Sequence, residues 1–376
     1  MRPELGTAEA EAVAEVIASG WVAQGPRVAE FERRFAEHVG AAQGVAVSSC
    51  TTALHLALYV LGVGPGDEVV VPSFSFIASA NAVRYCGATP VFADVDPETG
   101  NMTADTVAPL LTARTKAVMV VHQGGVPADV DTLRAACGDV LVLEDAACAA
   151  GSTYRDGHVG AGALLAAWSF HPRKLLTTGE GGMVTTDDPE LAARMRRLRE
   201  HGMSVSAADR HAAGTPMIEQ YLETGFNYRL TDLQAAVGIV QLGRLPGMVE
   251  RRRALAARYH ELLAEVPGVR AVRDPAYGTT NYQAFWVALA DDVAVGQADI
   301  LAALAAAGVS ARRGIMAAHL EPAYADTDHG PLPVTERLTR RTVILPLHHE
   351  LTAAQQELVV RTLAAAVATV PAPAAV

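Results

Sequence analysis

Residues 169–188 read SFHPRKLLTTGEGGMVTTDD. A short apolar strand ends at Phe170, a tight polar turn carries Lys174, and the glycine cluster Gly179-Glu180-Gly181-Gly182 leads into a second apolar run, Met183 to Thr186. A lone lysine between two apolar segments predicts a turn aimed into a cavity, where burial desolvates the amine and makes it nucleophilic. The alternative for this turn alone is a solvated loop lysine, and the sequence on either side decides between the two.

Upstream, strand and helix signals alternate. VAVSS from Val45, EVVVP, TPVFADV, KAVMVVH and VLVLED are short β-branched runs. Helical patterns separate them, near Ala53 to Leu61, Ser75 to Cys86, Asp105 to Leu111 and Asp131 to Cys137. Continuous apolar runs of this kind are buried on both faces, which predicts an α/β fold with a mainly parallel sheet between helices. VLVLED closes on Asp145, at the carboxyl end of a strand, where open α/β sheets place ligands. The small residues of EDAACAAG follow and leave room for something flat. Glu144 and Asp145 side by side could suggest a metal pair, but no His or Cys spacing supports one, and no metal is expected.

Nearer the start, VAVSS runs directly into Cys50-Thr51-Thr52 and an apolar helix. Hydroxyl residues at a helix start after a strand make a seat for an anion, since free amides and the positive helix end face the same way. An ordinary Ser/Thr cap would look the same. Gly62, Gly64 and Gly66 superficially resemble a dinucleotide fingerprint, but they follow a helix and precede a strand, the reverse of what that motif needs.

Composition narrows the class. The 376 residues carry a net charge of −11 with no basic block, which argues against a nucleic-acid partner. No apolar run reaches the length of a membrane span, and MRPELGTAEAEAV has no apolar signal-peptide core, so a cytoplasmic protein is expected. Cys50, Cys86, Cys137 and Cys148 lack CxxC spacing and read as reduced thiols.

Downstream, an arginine-rich helix runs from Glu190 to about His201, and 202–223 read as an irregular loop. A helix starts near Thr231, and Pro246 is expected to close it. The predicted boundary lies there, with a large domain over 1–246 and a smaller C-terminal α/β domain over 247–376. The second domain would hold a helix from Met248 to Leu263, strands near Val269 and at FWVALA and TVILPL, helices near 296–307 and from Ala353 to about Ala366, and a frayed Ala/Pro-rich tail.

Taken in order, GWVAQGPRVAEFE, SSCTTALHLAL, PGDEVVVPSFSFIASANAV, GATPVFADVDPETG, SFHPRKLLTTGEGGMV and GFNYRLTDLQAA cover nearly the whole chain. In this order they resemble the DegT/StrS family of sugar aminotransferases, which are pyridoxal 5'-phosphate enzymes of fold type I. The resemblance implies that Lys174 carries the cofactor as a Schiff base and, once freed, serves as the base that moves a proton between substrate and cofactor carbons. Asp145 would pair with the pyridine nitrogen, and Phe76 would lie on the ring face. Cys50 and Thr51, through backbone amides, and Ser169 would hold the phosphate. Asn227 would reach the phosphate of a neighbouring subunit, so the active form would be a homodimer with shared sites.

The sequence departs from the family pattern at two places. Cys148 stands where relatives usually carry Gln or His against the cofactor ring, and Arg313 falls where many carry His near the substrate. An arginine there would grip a carboxylate or phosphate, whereas Arg312 is read as solvated. His122 and His171 are left out of the catalytic set. The implied activity is transfer of an amino group from glutamate or glutamine to a keto-sugar, probable nucleotide linkage included, in amino-sugar biosynthesis. The alternatives are a pyridoxal phosphate lyase or dehydratase, which the retained Lys174 disfavours, and a non-catalytic cofactor-binding regulator.

Overall fold

A computed structural model of the chain describes residues 3–205 and 218–368. Part of the loop expected over 202–223, and the Ala/Pro-rich tail beyond 368, lie outside the described residues. Strands are β1 (Gln43–Val47), β2 (Glu68–Pro72), β3 (Thr89–Ala93), β4 (Thr115–Val121), β5 (Leu141–Asp145), β6 (Thr153–Tyr154), β7 (Gly157–His158), β8 (Ala166–Ser169), β9 (Gly182–Thr186), β10 (Val269–Ala271), β11 (Gly278–Thr279), β12 (Phe285–Leu289), β13 (Arg312–Arg313) and β14 (Thr342–Leu345).

Seven of them form one sheet in the order β1-β9-β8-β5-β4-β2-β3. The pairings from β8 through β3 are parallel, and β9 alone runs against both its neighbours. Both faces are covered, as the β-branched runs predict. Val69 and Val71 of β2 enter one core with Leu54 and Leu58 of the helix Cys50–Val60 and Met195 of the helix Pro189–Leu198. Val70, between them, enters another core with Leu133 of the helix Val130–Cys137. On the same strand edge as β8 and β9, Trp168 and Phe170 pack on Phe31 and Phe35 of the helix Pro26–Val39.

A second, antiparallel sheet has the order β10-β12-β14-β13. Its core holds Phe285, Trp286 and Val343 with the helices Gln297–Ala306 and Ala353–Val367. The small ladder β11-β6-β7 ties chain from residues 278–279 to the segment just after β5.

One expectation fails. Pro246 closes nothing: a single helix runs from Asp232 to Leu263, and the helix expected from Met248 is its second half. Pro inside a helix costs about 3 kcal/mol, yet this helix buries Leu242 and Leu245 before the proline and Met248, Leu255, Tyr259 and Leu263 after it. At about 1.5–3 kcal/mol for each buried side chain, packing outweighs the break. Pro246, Gly243 and Gly247 are all exposed, so the turn around the proline faces solvent.

Candidate active site

The parallel strands end around Asp145. Burial pushes its carboxyl up, against the lowering effect of a hydrogen bond from Ser79, the Ala147 amide and the nearby Lys174 and His122. Asp145 is 4% exposed; its Oδ2 accepts from Ser79 Oγ at 2.8 Å and its Oδ1 from the Ala147 amide at 3.1 Å. Ser79 stands on the helix Ala78–Tyr85 and lies 3.0 Å from Ser75 Oγ. Neither serine was singled out in the sequence, because a hydroxyl that serves an aspartate 66 residues away leaves no periodic signal.

Glu144 belongs to another structure. Alternation along β5 sends its side chain to the opposite face, where its oxygens accept from Arg134 at 2.8 Å and meet His122 Nε2 at 3.1 Å. His122 Nδ1 accepts from the Ala128 amide at 3.0 Å, so Nε2 is assigned the proton and donates to Glu144. No metal-ligand cluster of three or more His, Cys, Asp or Glu occurs among the described residues.

The turn after β8 is built by local bonds. Phe170 O accepts from the Thr178 amide at 3.0 Å and from Thr177 Oγ1 at 2.9 Å, and Lys174 N donates to His171 O at 2.8 Å. Gly179 takes φ +86°, a conformation open to glycine. Gly182 has a different reason to be glycine. A Cβ there would lie 2.4 Å from the Ser49 carbonyl and 2.6 Å from Cys50 N, so β9 runs directly against the start of the helix Cys50–Val60. At that start Ser49 caps Thr52 N at 3.1 Å, and Ser49 O takes the Ala53 amide. The first-turn amides of Cys50 and Thr51 are left without a partner among the described residues. The Cys50 thiol itself is pushed well up by burial and by Asp145.

Lys174 points back from the turn, and its Nζ donates to Cys148 Sγ at 3.1 Å. Burial alone would push the ammonium down, as the sequence reading expects. The thiols of Cys148 and Cys50 and the Asp145 carboxyl outweigh it and hold Lys174 above the ordinary lysine range. In this chain the lysine is therefore a protonated group set among acidic neighbours.

A segment missed by the sequence reading fixes both partners of that contact. Gln283 Nε2 donates to Arg173 O at 2.7 Å while its Oε1 accepts from the Leu175 amide at 3.0 Å, so one side-chain amide grips the backbone on both sides of Lys174. Asn281 Nδ2 donates to Cys148 O at 2.9 Å and Ala150 O at 2.8 Å. Tyr282, between them, has φ +50°, unusual for a residue with a Cβ. The buried Arg252 secures the segment by donating to Tyr282 O at 2.9 Å, Gln283 O at 3.0 Å and Leu347 O at 2.9 Å.

The remaining expected residues fall as follows. Phe76 is 70% exposed, whereas Phe74 fills the core, so the aromatic free to meet a ligand is the expected one. Ser169 closes β8 and is half-buried. Asn227 is exposed and its backbone bridges to Glu200, while its neighbour Tyr228 accepts from the Ser48 amide at 2.8 Å. Arg312 and Arg313 are both exposed on β13. Alternation along β13 sends Arg313 to Glu321, at 3.9 Å. Arg312 lines a cleft of about 890 Å³ with Gln283. Its guanidinium is held below the ordinary arginine range by loss of solvent and then by Arg173, while Cys148 opposes the shift. Neither Arg312 nor Arg173 has a carboxylate partner among the described residues.

An amine, a buried carboxylate at a strand end, two free amides at a helix start and an exposed aromatic fit pyridoxal phosphate by their chemistry. Comparison with known proteins agrees. The model of the DegT/DnrJ/EryC1/StrS aminotransferase family matches residues 3–364. The chain is 40% identical over 371 residues to a dTDP-4-dehydro-2,3,6-trideoxy-D-glucose 4-aminotransferase of Saccharopolyspora spinosa, covering 96% of this chain and 94% of that one. The crystal structure of the aminotransferase TlmJ from Streptoalloteichus hindustanus superposes with a TM-score of 0.90 at 42% identity, covering 98% of each chain. The sugar aminotransferase Spr1654 of Streptococcus pneumoniae, described in its source as putative, is similar in its PMP form (TM-score 0.91, 27% identity, 97% and 98% covered) and in its PLP form (0.90, 26%, 97% of each).

Proposed function

Because the chain belongs to the DegT/DnrJ/EryC1/StrS aminotransferase family and is a pyridoxal-phosphate-dependent aminotransferase, we propose that it aminates a nucleotide-linked keto-sugar, with glutamate or glutamine as donor, in amino-sugar biosynthesis. The observation that carries this reading is Lys174 Nζ held beside Cys148 and within electrostatic range of the strand-end carboxylate of Asp145. The cofactor supplies an electron sink for the carbanion left when the donor's α-proton departs. Lys174 is the group placed to anchor it and to hold and return that proton. Asp145, kept acceptor-only by bonds from Ser79 and Ala147, holds positive charge on the ring nitrogen. The free amides of Cys50 and Thr51, with Ser169, bind the phosphate. Phe76 and Cys148 would border the ring. Residues 1–246 would form the cofactor-binding part and 247–376 the smaller part, joined by the helix through Pro246. The deciding experiment offers a panel of keto-sugar nucleotides with each amino donor and follows the amine by mass. Turnover of simple keto acids alone, with no sugar aminated, would overturn the sugar assignment.

Two further expectations belong to this reading. Arg312 and Arg173, two cations without an acid in a chain of net charge −11, suit an anionic substrate group. Arg312→Gln should lower the efficiency of one half-reaction by roughly ten- to a hundredfold, about 1.5–3 kcal/mol, while Arg313→Gln leaves both within about twofold. Loss in the donor half-reaction assigns a carboxylate, and loss in the sugar half-reaction the diphosphate. Equal kinetics for wild type and Arg312→Gln would remove Arg312 from the site. The second concerns assembly: Asn227, exposed in its own chain, would serve the site of a partner in a homodimer. Inactive Lys174→Ala and Asn227→Ala chains, once mixed, should regain activity, because one site of the mixed dimer has both groups. Verified mixed dimers that stay inactive would exclude the shared site.

A further inference from the structure

We propose that Cys148 and Lys174 are a modification site: a hydroperoxide joins them through a sulfur–nitrogen bond whenever Lys174 is free of cofactor. The bond itself rests on their contact, while the protection expected from bound cofactor rests on Lys174 being the anchoring lysine. Among the described residues Cys148 is the one cysteine whose sulfur meets an amine, with Nζ 3.1 Å from Sγ. Its thiol is half-buried, so a small oxidant can reach it, and it lies in the electrostatic range of both Lys174 and Arg312. Partly exposed thiols beside cations are the ones that oxidise. The two backbones cannot drift apart easily, because Asn281 holds Cys148 O and Gln283 holds the groups on either side of Lys174.

The chemistry balances in two steps. Cys148 sulfur attacks the O–O bond of the hydroperoxide, giving a sulfenic acid and releasing an alcohol, or water from hydrogen peroxide; sulfur is oxidised by two electrons and the peroxide is reduced. Lys174, having lost one proton to solvent, then attacks that sulfur. The S–O bond breaks, and hydroxide leaves with the amine's proton as water. Two equivalents of thiol reverse the link, returning the amine and the Cys148 thiol and leaving one disulfide of the reductant. Cys50 is the competing trap. Geometry favours the lysine: Nζ is already 3.1 Å from Cys148 Sγ, whereas no hydrogen bond joins the two sulfurs among the described residues.

The test uses the full-length chain, cofactor-free and loaded with pyridoxal phosphate. Each is treated with a small excess of hydrogen peroxide, then alkylated, digested and mapped by mass. The cofactor-free chain should lose most of its free Cys148 thiol and yield the Cys148 and Lys174 peptides joined, lighter than their sum by two hydrogens, with dithiothreitol restoring both. Cys148→Ser should give no linked peptide, and Lys174→Gln should divert Cys148 to a dimedone-trapped sulfenic acid. A Cys50–Cys148 disulfide in place of the link, or Cys148 surviving unoxidised, overturns the proposal. If borohydride still fixes cofactor to Lys174 in that case, the reading of the site stands without it. If the loaded chain cross-links as fast as the cofactor-free one, the link stands and Lys174 loses its role as anchor.

Discussion

Lys174→Ala should abolish amino transfer, lowering kcat by roughly 10³-fold or more, because in the proposed site one side chain would supply both the anchoring amine and the proton-transfer base. Borohydride should fix cofactor to the peptide bearing Lys174 in the wild type and to no peptide in the variant. The fold should survive. The Lys174 side chain makes one hydrogen bond, to a thiol, while the turn is held through its backbone by Gln283 and by His171. Circular dichroism and a thermal midpoint close to wild type would document that. Turnover within tenfold of wild type would end the assignment.

Asp145→Asn separates catalysis from stability in opposite directions. Burial raises the Asp145 carboxyl above its usual range. A folded-state value raised above the unfolded one, about 3.9, means that the folded chain holds the proton more tightly. Its contribution is favourable below the unfolded value and is lost as pH rises through the folded one. At neutral pH the cofactor-free chain therefore carries a costly buried charge, which a cationic ring nitrogen would neutralise. Asparagine keeps one carbonyl oxygen to accept from Ala147 N, presents its NH2 to Ser79 Oγ, which can turn to accept, and removes that charge. The cofactor-free Asp145→Asn chain should then melt no lower than wild type at pH 7, with a flatter stability profile above about pH 4. Turnover should fall roughly 10²- to 10³-fold, about 3–4 kcal/mol. Near-wild-type turnover would show that Asp145 does not face the ring nitrogen.

Much of this site is legible because its parts sit at ends of regular elements. Asp145 closes an apolar strand, Cys50 opens a helix directly after another, and Lys174 interrupts two apolar runs; each is a visible change of pattern. Ser79, Asn281 and Gln283 are not legible, since each acts on a group 66 to 133 residues away through a single side chain. Arg312 and Arg313 show a finer limit. They are chemically identical neighbours, and only the register of Arg313 against Val343 and Arg312 against Ile344 fixes which face each takes. Pro246 was read by local propensity, and the apolar face on both sides of it prevailed.

The Gln283 grip also has a consequence in time. A ribosome delivers Lys174 long before Gln283, 109 residues further on. A nascent chain can meanwhile assemble β1 to β9, whose last partner ends at Thr186. Until Asn281 and Gln283 emerge and dock, the loop bearing the reactive amine has only its own turn to shape it, and such long-range closure comes late in folding. The catalytic centre is thus withheld from the half-made enzyme, and its maturation doubles as a check that the C-terminal third has arrived.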